Sequence, residues 1–387
     1  MRILIFYLLL FMILPLKGSN QVLPELVDIR IFSPENITSF SLTPSAGSYH
    51  VFDHNNNFLL ELKYHNTLVF EIAPENINVL RNDSVIFTGE SIKLQGVAFH
   101  NSFIIKPIEK NLKFRGYDGN LSIYHAGNQF KLINNTPLES YVAGTVQSES
   151  GFNRHNVFYQ VQAIIIRTYA LKNINRHLNE GHHLCDQVHC QAYYGKTFNR
   201  DIILAVEQTR GEVVTDSFSE LLNTVYHANC GGQTVNSEDL WIQALPYLRS
   251  DIDTFCLEMP GARWETTIPV TQFLAFLQRN HNLNLTPEKW EHIRNFQQSN
   301  RIHYLDENQN LPLSNIRHHF RLRSTFFSMT NNQDTLFLTG RGYGHGVGLC
   351  QEGAMQRARH GYPRDEILQF YYKGALIKAL ESPVFFE

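Results

Sequence analysis

One glutamate, Glu149, falls at the expected C-terminal end of a helix and on the inward face of that helix. It follows Leu138 by eleven residues, which places the two side chains about 20° apart on a helical wheel. Partial burial and the negative end of the helix dipole both disfavour a carboxylate and so raise the pKa of the carboxyl group. Such a group is suited to general acid catalysis. The alternative is a solvated last-turn glutamate, because an error of one residue rotates the face by about 100°.

A single guanidinium, that of Arg167, lies on the apolar face of the next expected helix, three residues after Ile164 and four before Leu171. A buried guanidinium needs a carboxylate, backbone carbonyls or a substrate oxygen, because unpaired burial is costly. The sequence leaves two roles open, a substrate contact and a structural tie between helix and sheet. Close pairing of Arg167 with Glu149 would lower the pKa that the helix end raises.

The loop after this helix concentrates residues that bind metals: His177, His182, His183, Cys185, His189 and Cys190. Two thiolates and two imidazoles suit a tetrahedral structural zinc site. We predict zinc bound by Cys185, His189 and Cys190, with His177 preferred over His182 and His183 as the fourth ligand. A disulfide between Cys185 and Cys190, with ordinary surface histidines, is the alternative.

Further along, the segment Y-H-A-N-C-G-G-Q-T begins at Tyr226 and places paired glycines beside His227. Such glycines indicate a backbone that turns tightly or approaches a ligand closely. Cys230 could act as a nucleophile with His227. A thiol is easily oxidised in an exported protein, however, and the N-terminal residues discussed below predict export. A disulfide between Cys230 and Cys256 is equally consistent with the sequence.

The segment G-R-G-Y-G-H-G-V-G-L-C-Q-E-G-A has glycine at every second position from 340 to 348. In an extended chain the five glycines face one side and predict a bare groove floor, with Arg341, Tyr343, His345 and Val347 on the other side. Close packing of two strands is the alternative. The segment is neither a phosphate loop nor a dinucleotide fingerprint, because no Gly-Lys-Ser/Thr follows and no ordinary βαβ unit surrounds it.

Both predicted strands and predicted helices must position these candidate site residues. Residues 21–133 contain short apolar or alternating runs separated by Asn, Gly and Asp, which predict a β-rich N-terminal region. A capping box of Thr136 and Glu139, with Pro137 at the first helical position, then opens a mixed α/β core over 134–265.

The core is expected to contain helices over about 137–149 and 156–176. A stretch rich in Gln, Asn and His predicts a helical elaboration over 266–316, and 317–387 returns to the core with strands, the glycine motif and two helices. The fold class expected from this order is α+β.

The first twenty residues predict a secretory signal peptide, with Arg2, an apolar run from Ile3 to Leu14, and small residues at Gly18 and Ser19. The apolar run is shorter than the roughly 20 residues that span a bilayer, which favours cleavage over an uncleaved anchor. We therefore expect an exported protein, in the periplasm or at the cell-wall face. The chain has five cysteines, so in an oxidising compartment at least one is free, metal-bound or paired between chains.

The composition is that of a folded protein, with 43% hydrophobic and 18% charged residues in 387, a length that suits two to three units. The net charge of −3 offers no electrostatic footprint for a polyanion. Nucleic acid is therefore not expected as a partner.

Several of these motifs together, in order, resemble the sporulation stage II protein D / LytB (SpoIID/LytB) family. They are T-P-L-E-S-Y-V-A-G-T-V-x-x-E, Q-A-x-x-x-R-T-Y-A, C-x-x-x-H-C-Q-A-Y, T-R-G-E-V, H-x-x-x-G-G-Q-T, P-Y-L-R-S and the glycine motif. The resemblance covers roughly residue 112 to the C-terminus. It departs from the family's common pattern at Gln160, where relatives often have Lys, and at Cys230, where they often have Ser.

The resemblance implies a peptidoglycan lytic transglycosylase that acts on glycan strands stripped of stem peptides. It matches the catalytic Glu to Glu149, the helix Arg to Arg167 and the metal loop to Cys185, His189 and Cys190. A sugar-binding groove is then expected to be lined by Tyr226, His227, Tyr343, His345 and Gln351. Any zinc is expected to be structural.

Two other functions remain open from the sequence. The LytB branch implies a non-catalytic wall-binding protein that activates a cell-wall amidase. A zinc hydrolase would need an open coordination position, which the nearly complete Cys/His set argues against.

Overall fold

The computed structural model describes residues 23–109, 111–241, 243–281, 285–306 and 311–381. The predicted signal peptide, residues 1–20, lies outside the described residues. None of the helices in the described part of the chain is long and apolar enough to cross a bilayer.

The N-terminal region consists of strands, as its alternating apolar residues predict. Their bounds are β1 (Leu26–Ile31), β2 (Ser39–Ala46), β3 (Tyr49–Phe52), β4 (Phe58–Leu62), β5 (Leu68–Ile72), β6 (Ile77–Arg81), β7 (Ser84–Gly89), β8 (Ser91–Gly96), β9 (Ser102–Pro107), β10 (Arg115–Asp118), β11 (Asn120–Ala126) and β12 (Gln129–Pro137). In β2, for example, buried and half-buried residues alternate, so one face of the strand packs inward.

The mixed core follows directly. It begins with α1 (Leu138–Ser150), α2 (Asn156–Lys172), β13 (Leu184–Cys185), α3 (Arg200–Gln208), β14 (Glu212–Thr215) and β15 (Tyr226–His227). An insertion then contributes β16 (Arg263–Pro269), α4 (Val270–His281), α5 (Pro287–Arg294), β17 (Tyr304–Asp306), β18 (Leu311–Pro312), α6 (Leu313–His319), β19 (Phe327–Asn332) and β20 (Thr335–Arg341). The core ends with β21 (Leu349–Cys350), α7 (Gln351–Arg359), α8 (Arg364–Tyr371) and β22 (Leu376–Ala379).

The strands of the N-terminal region form two sheets that pack face to face. One sheet has the order β13-β1-β12-β11-β8-β3-β4 and the other β10-β9-β2-β5-β6-β7. Rings fill the space between them: Tyr49 meets Phe103 edge-on with centroids 5.8 Å apart, and Phe40 meets Phe130 at 5.0 Å. Aromatic pairs at this spacing and angle stabilise a sandwich beyond their buried area.

The N-terminal region and the core share one hydrophobic interior. β12 runs through the expected boundary at residue 134 and leads into α1 without a loop. The short β13, which belongs to the core sequence, pairs in parallel with β1. Asp186, just after β13, accepts hydrogen bonds from the backbone N–H groups of Phe32 (2.7 Å) and Ser33 (3.1 Å) and pairs with Arg115. The first sheet therefore holds the loop that carries the Cys/His residues.

The insertion has a second hydrophobic core of its own, centred on residues such as Phe273, Leu277, Ile316 and Leu336. Its described residues include three helices, in line with the predicted helical elaboration, and the antiparallel sheet β16-β20-β19. Strands β19 and β20 of that sheet lie where the sequence predicts strands after residue 317. The whole architecture confirms the α+β class, with a β-rich N-terminal region before the mixed core.

Two local expectations are wrong. The predicted capping box does not form: Pro137 is the N-cap of α1, and the Glu139 side chain instead pairs with Arg167 in α2. The second helix ends at Lys172 rather than at residue 176, because Asn173 leaves the helical conformation with a ψ of 15°. In both places a contact or backbone turn outside the helix decides the outcome.

Candidate active site

Glu149 lies in the last turn of α1, which ends where Gly151 adopts a φ of +69°. The predicted inward residues of this helix are buried, and Glu149 itself is half-buried. Its Oε1 accepts a 2.8 Å hydrogen bond from the backbone N–H of Ala192. Burial raises the pKa of Glu149, while the Ala192 N–H and the Tyr226 hydroxyl, which both donate to the carboxylate, act in the opposite direction. The expected direction of the pKa shift is therefore confirmed, with desolvation as its main cause.

Tyr226 in β15 brings a hydroxyl to Glu149. Burial and the nearby Glu149 hold the pKa of Tyr226 well above its usual value, so the group is a neutral O–H donor. Its backbone oxygen accepts a 2.9 Å hydrogen bond from Nε2 of His345. The glycine motif thereby fixes the strand that carries Tyr226.

Gln351, the first residue of α7, also lies at the end of α1. Its side-chain amide is 3.5 Å from the backbone oxygen of Glu149 and 3.4 Å from Oε1 of Gln162 in α2. The structure therefore brings together Glu149, Tyr226 and Gln351, three residues that are widely separated in the sequence. Gln162, buried in α2, was not among the candidate site residues, although it opens the motif Q-A-x-x-x-R-T-Y-A, five residues before Arg167.

His227 and His345, the two histidines of the predicted groove, both form hydrogen bonds with the protein's own backbone. Both ring nitrogens of His345 are bonded within the protein, because Nδ1 accepts from the backbone N–H of Val347 at 3.1 Å. Burial lowers the pKa of His345 to about 4 and holds that of His227 well below its usual range, so both rings are neutral. His227 donates to the Val347 oxygen through Nδ1 at 3.1 Å, and its buried Nε2 has no hydrogen-bond partner in the described part of the chain. The predicted hydrogen bonds from His345 to a sugar are thus corrected, since its nitrogens already have partners.

The remaining ring of the motif, that of Tyr343, is 51% exposed and has the guanidinium of Arg323 5.8 Å from its centroid. Trp241, which the sequence analysis did not select, lies 5.7 Å from the His345 ring. Exposed aromatic faces beside a neutral imidazole offer a surface on which sugar rings can stack. The signal that could have found Trp241 is its position just after the segment with the paired glycines.

The glycine motif is not an extended strand beyond residue 341, so the prediction that its glycines form a bare floor is wrong. Gly342, Gly344, Gly346 and Gly348 all have positive φ, between +70° and +112°. They pack against the segment 225–235: a Cβ at Gly348 would lie 2.2 Å from the Val225 oxygen. The alternative, glycine for close packing, describes the structure, and the isolated bridge between Asn229 and Tyr343 belongs to this contact.

Arg167 is fully buried and has its partners within the fold. Its Nε and Nη2 donate to the two carboxylate oxygens of Glu139 at 2.9 and 2.6 Å, and Nη1 donates to the Glu212 oxygen at 2.9 Å. Each of the three guanidinium nitrogens thus donates to an oxygen of α1 or β14. This corrects the assignment of Arg167 to substrate binding and leaves the structural tie between helix and sheet. Because Arg167 pairs with Glu139, it does not lower the pKa of Glu149.

The four predicted metal ligands come together. Ligand atoms of His177, Cys185, His189 and Cys190 all lie within 4.8 Å of one another. The Cys185 Sγ is 3.2 Å from Nε2 of His189, and the Cys190 Sγ is 3.4 Å from Nε2 of His177. A tetrahedral zinc site with bonds of about 2.0–2.3 Å requires ligand separations near these values. The donor set and its spacing therefore fit one zinc ion.

The choice of His177 over its neighbours has a physical basis in the structure. Its Nδ1 is 2.7 Å from the Glu180 carboxylate, which leaves Nε2 for the metal, the usual arrangement of a metal-bound histidine. His182 stacks on the His177 ring, with centroids 5.0 Å apart. His183 accepts a 2.9 Å hydrogen bond from the backbone of Asp28 through Nδ1.

The fold and site define an α+β core in which one half-buried carboxyl group lies at a helix end, beside a loop with a Cys/His cluster. Residues 126–215 match the sequence model of the SpoIID family, described as stage II sporulation protein. The chain is 25% identical over 355 residues to an uncharacterized protein of Brachyspira hyodysenteriae, covering 89% of this chain and 94% of that protein.

Two relatives with names that describe a role come from Bacillus subtilis. Stage II sporulation protein D is 26% identical over 282 residues, which is 68% of this chain and 80% of that protein. The amidase enhancer is 24% identical over 270 residues, which is 56% of this chain and 37% of that protein. The match to the family model and these relatives support the resemblance to the SpoIID/LytB family found in the sequence. These relatives support a cell-wall-related role.

Proposed function

We propose that the protein is an exported lytic transglycosylase that cleaves the β-1,4 bond between N-acetylmuramic acid and N-acetylglucosamine in peptidoglycan strands stripped of stem peptides. The observation that carries the proposal is the placement of Glu149: a half-buried carboxyl with a raised pKa, next to Tyr226 and Gln351. A carboxyl in such surroundings retains its proton at higher pH than a free glutamate does, so it can act as a general acid.

In the proposed reaction, protonated Glu149 donates its proton to the glycosidic oxygen as the bond from that oxygen to C1 of the muramic acid breaks. The oxygen of the muramic C6 hydroxyl then bonds to C1, and the Glu149 carboxylate takes the proton of that hydroxyl. The products are a 1,6-anhydro sugar end and a free hydroxyl on the leaving sugar. One carboxyl suffices because the internal hydroxyl replaces the water that a hydrolase activates with a second carboxylate.

The neighbours of Glu149 support both halves of this cycle. When Glu149 has given up its proton, the Ala192 N–H and the Tyr226 hydroxyl donate to its oxygens and stabilise the carboxylate that the second step uses as the base. Glu238, an acidic residue in the segment that follows the paired glycines, forms an ion pair with Arg249 that lowers its pKa to about 2. It is therefore unsuited to donate a proton near neutral pH.

We further propose that zinc bound by His177, Cys185, His189 and Cys190 is structural and fixes the loop that ends at Ala192. A bound ion would supply rigidity there, since four protein ligands leave no open position. The ordered loop then presents the Ala192 N–H to Glu149.

The test is product analysis on denuded glycan strands. We expect the wild-type protein to release fragments with 1,6-anhydro ends, detected by mass spectrometry, and Glu149→Gln to release none while still folding. The matched control is Glu61→Gln, an exposed residue of β4 in the N-terminal region, which should leave product formation unchanged. Anhydro products from Glu149→Gln at the wild-type rate would contradict the proposal.

A second candidate is favoured by the relative named amidase enhancer. In that function the protein binds glycan, releases no product alone, and raises the rate of a cell-wall amidase. The two functions separate in one assay: anhydro ends formed without any partner support the transglycosylase, whereas release of stem peptides only when an amidase is added supports the enhancer.

A further inference from the structure

A second group of metal-binding side chains lies in the interior, away from the Cys/His cluster. It consists of Cys230, Asp253, Cys256 and Cys350, and all four residues are fully buried. Their ligand atoms, three sulfurs and a carboxylate oxygen, all lie within 4.8 Å of one another. The four residues come from three separate segments, so their convergence is a property of the fold and not of a local sequence motif.

The spacing of the sulfurs suits a shared ion. Sγ of Cys230 is 3.3 Å from Sγ of Cys256, whereas a disulfide bond is about 2.0 Å long. Thiolates on one tetrahedral zinc, with bonds of about 2.3 Å, stand roughly 3.8 Å apart. The Asp253 carboxylate lies 3.7 Å from the Cys230 sulfur, at the distance of a neighbouring ligand.

The four groups also have the outer partners that metal ligands need. The Tyr371 hydroxyl donates to Oδ2 of Asp253 at 2.6 Å, and Arg357 donates to Oδ1 at 3.3 Å. The Cys350 sulfur accepts from the backbone N–H groups of Cys230 (3.2 Å) and Gly353 (3.3 Å). Such hydrogen bonds orient ligands and stabilise thiolates.

With the three cysteines as metal-bound thiolates, one divalent cation and two guanidinium groups balance the charge of this interior. Three thiolates and one carboxylate carry four negative charges, and Arg357 forms an ion pair with Asp253. A second guanidinium, that of Arg301, donates to the Cys230 oxygen at 2.7 Å, and its buried Nε and Nη1 atoms have no hydrogen-bond partner among the described residues. Two guanidinium groups and one Zn²⁺ neutralise the four anions, which buried charges require.

We propose that Cys230, Asp253, Cys256 and Cys350 form a second zinc site, distinct from the Cys/His cluster. The ion joins the loop after β15, the turn at 253–256 and the N-terminus of α7. The first of these segments follows His227 and the last begins with Gln351, so the site braces the candidate groove from within. Because all four ligands are buried, the ion enters as the chain folds.

The metal content of the purified protein tests the site. We expect two equivalents of zinc per wild-type chain by elemental analysis. Cys350→Ser should lose one equivalent but keep the fold, because Cys350 is the N-cap of α7 and serine is a preferred N-cap residue. The double variant Cys185→Ser, Cys190→Ser should also lose one equivalent and retain the other.

The rival structure is a disulfide between Cys230 and Cys256 with Cys350 free. In that case Cys350→Ser would have the same zinc content as the wild type, and alkylation under denaturing conditions without reductant would modify only three of the five thiols. Either result overturns the proposal. Should Cys350→Ser not fold, refolding the Cys185→Ser, Cys190→Ser variant under reducing conditions with cobalt as the metal present gives a second measurement: thiolate charge-transfer absorption supports the site, and its absence in the refolded protein contradicts it.

Discussion

The backbone N–H of Ala192 donates a 2.8 Å hydrogen bond to Oε1 of Glu149. Ala192 comes two residues after Cys190, one of the four residues of the Cys/His cluster. The loop that this cluster organises therefore holds the candidate acid directly. A metal in the loop can influence catalysis through position alone, without touching the substrate.

Loss of zinc from the Cys/His cluster should therefore reduce activity in a protein that remains folded. We expect Cys185→Ser, Cys190→Ser to form anhydro product about 10–100 times more slowly, the range seen when outer partners of a site are removed. The measurement is the initial rate on denuded glycan, with circular dichroism as the check on folding. A folded, zinc-free variant with the wild-type rate would contradict the link between the cluster and Glu149.

Exchange of the metal separates this positioning role from metal catalysis. Cobalt in place of zinc keeps tetrahedral geometry, so a structural site should leave the rate and its pH profile unchanged. In a zinc hydrolase the metal-bound water reacts, and a different metal would change its pKa and the profile.

Glu149 should also make the stability of the protein depend on pH. Burial raises its folded-state pKa above the value of about 4.3 for an unfolded glutamate. A group with a raised folded pKa stabilises the fold fully below the unfolded pKa, and that contribution is lost as pH rises through the folded pKa. Glu149→Gln cannot ionise, so it should be more stable than the wild type at pH 7, with the difference shrinking at pH 4.

Urea unfolding of both proteins at the two pH values measures this difference. The same raised pKa should set the alkaline limb of the activity profile, because the proton donor is lost as the pH rises through it. A wild type that is more stable than Glu149→Gln at pH 7 would mean that the carboxylate is well solvated or paired, and would remove the basis for the acid.

The residues found from the sequence are those fixed by local patterns. The inward face of α1 follows from helical spacing, so the position of Glu149 and the direction of its pKa shift could be predicted. The four cluster ligands lie within fourteen residues, so loop proximity brings them together. In both cases the prediction depends on residues that lie close together in the sequence.

The missed features depend on contacts that are distant in sequence. From the sequence, Glu139 is expected to be a capping-box residue. In the structure it pairs with Arg167, 28 residues later. The group of Cys230, Asp253, Cys256 and Cys350 joins positions up to 120 residues apart. No spacing rule reveals such convergence, because it is decided by how the elements pack.

The ion pair of Arg167 and Glu139 should contribute to stability and not to substrate binding. Breaking a buried pair leaves an uncompensated charge, so Glu139→Gln should destabilise the protein by about 3–5 kcal/mol in urea unfolding. The control is Glu207→Gln, which breaks the exposed pair with Arg210 and should cost less than about 1 kcal/mol. Unchanged stability of Glu139→Gln together with weaker glycan binding would return Arg167 to the substrate groove.

The packing of the glycine motif can be tested with two glycines that have nearly the same positive φ but different surroundings. Gly348 has a φ of +70°, and a Cβ there would lie 2.2 Å from the Val225 oxygen, which already accepts hydrogen bonds from Leu349 and Tyr372. Gly127 has a φ of +68° with nothing within 4 Å. Alanine at position 127 therefore adds only backbone strain, about 1–2 kcal/mol.

Gly348→Ala adds a steric conflict to the same strain, so it should destabilise the protein by about 1–3 kcal/mol more than Gly127→Ala does. Because Val225 precedes Tyr226, the displaced strand should also move the Tyr226 hydroxyl away from Glu149 and lower the rate of anhydro product formation. Gly127→Ala should keep the wild-type rate. Equal losses of stability in the two variants would mean that the glycines serve backbone conformation alone, and a Gly348→Ala protein with full activity would mean that the strand bearing Tyr226 does not depend on this packing.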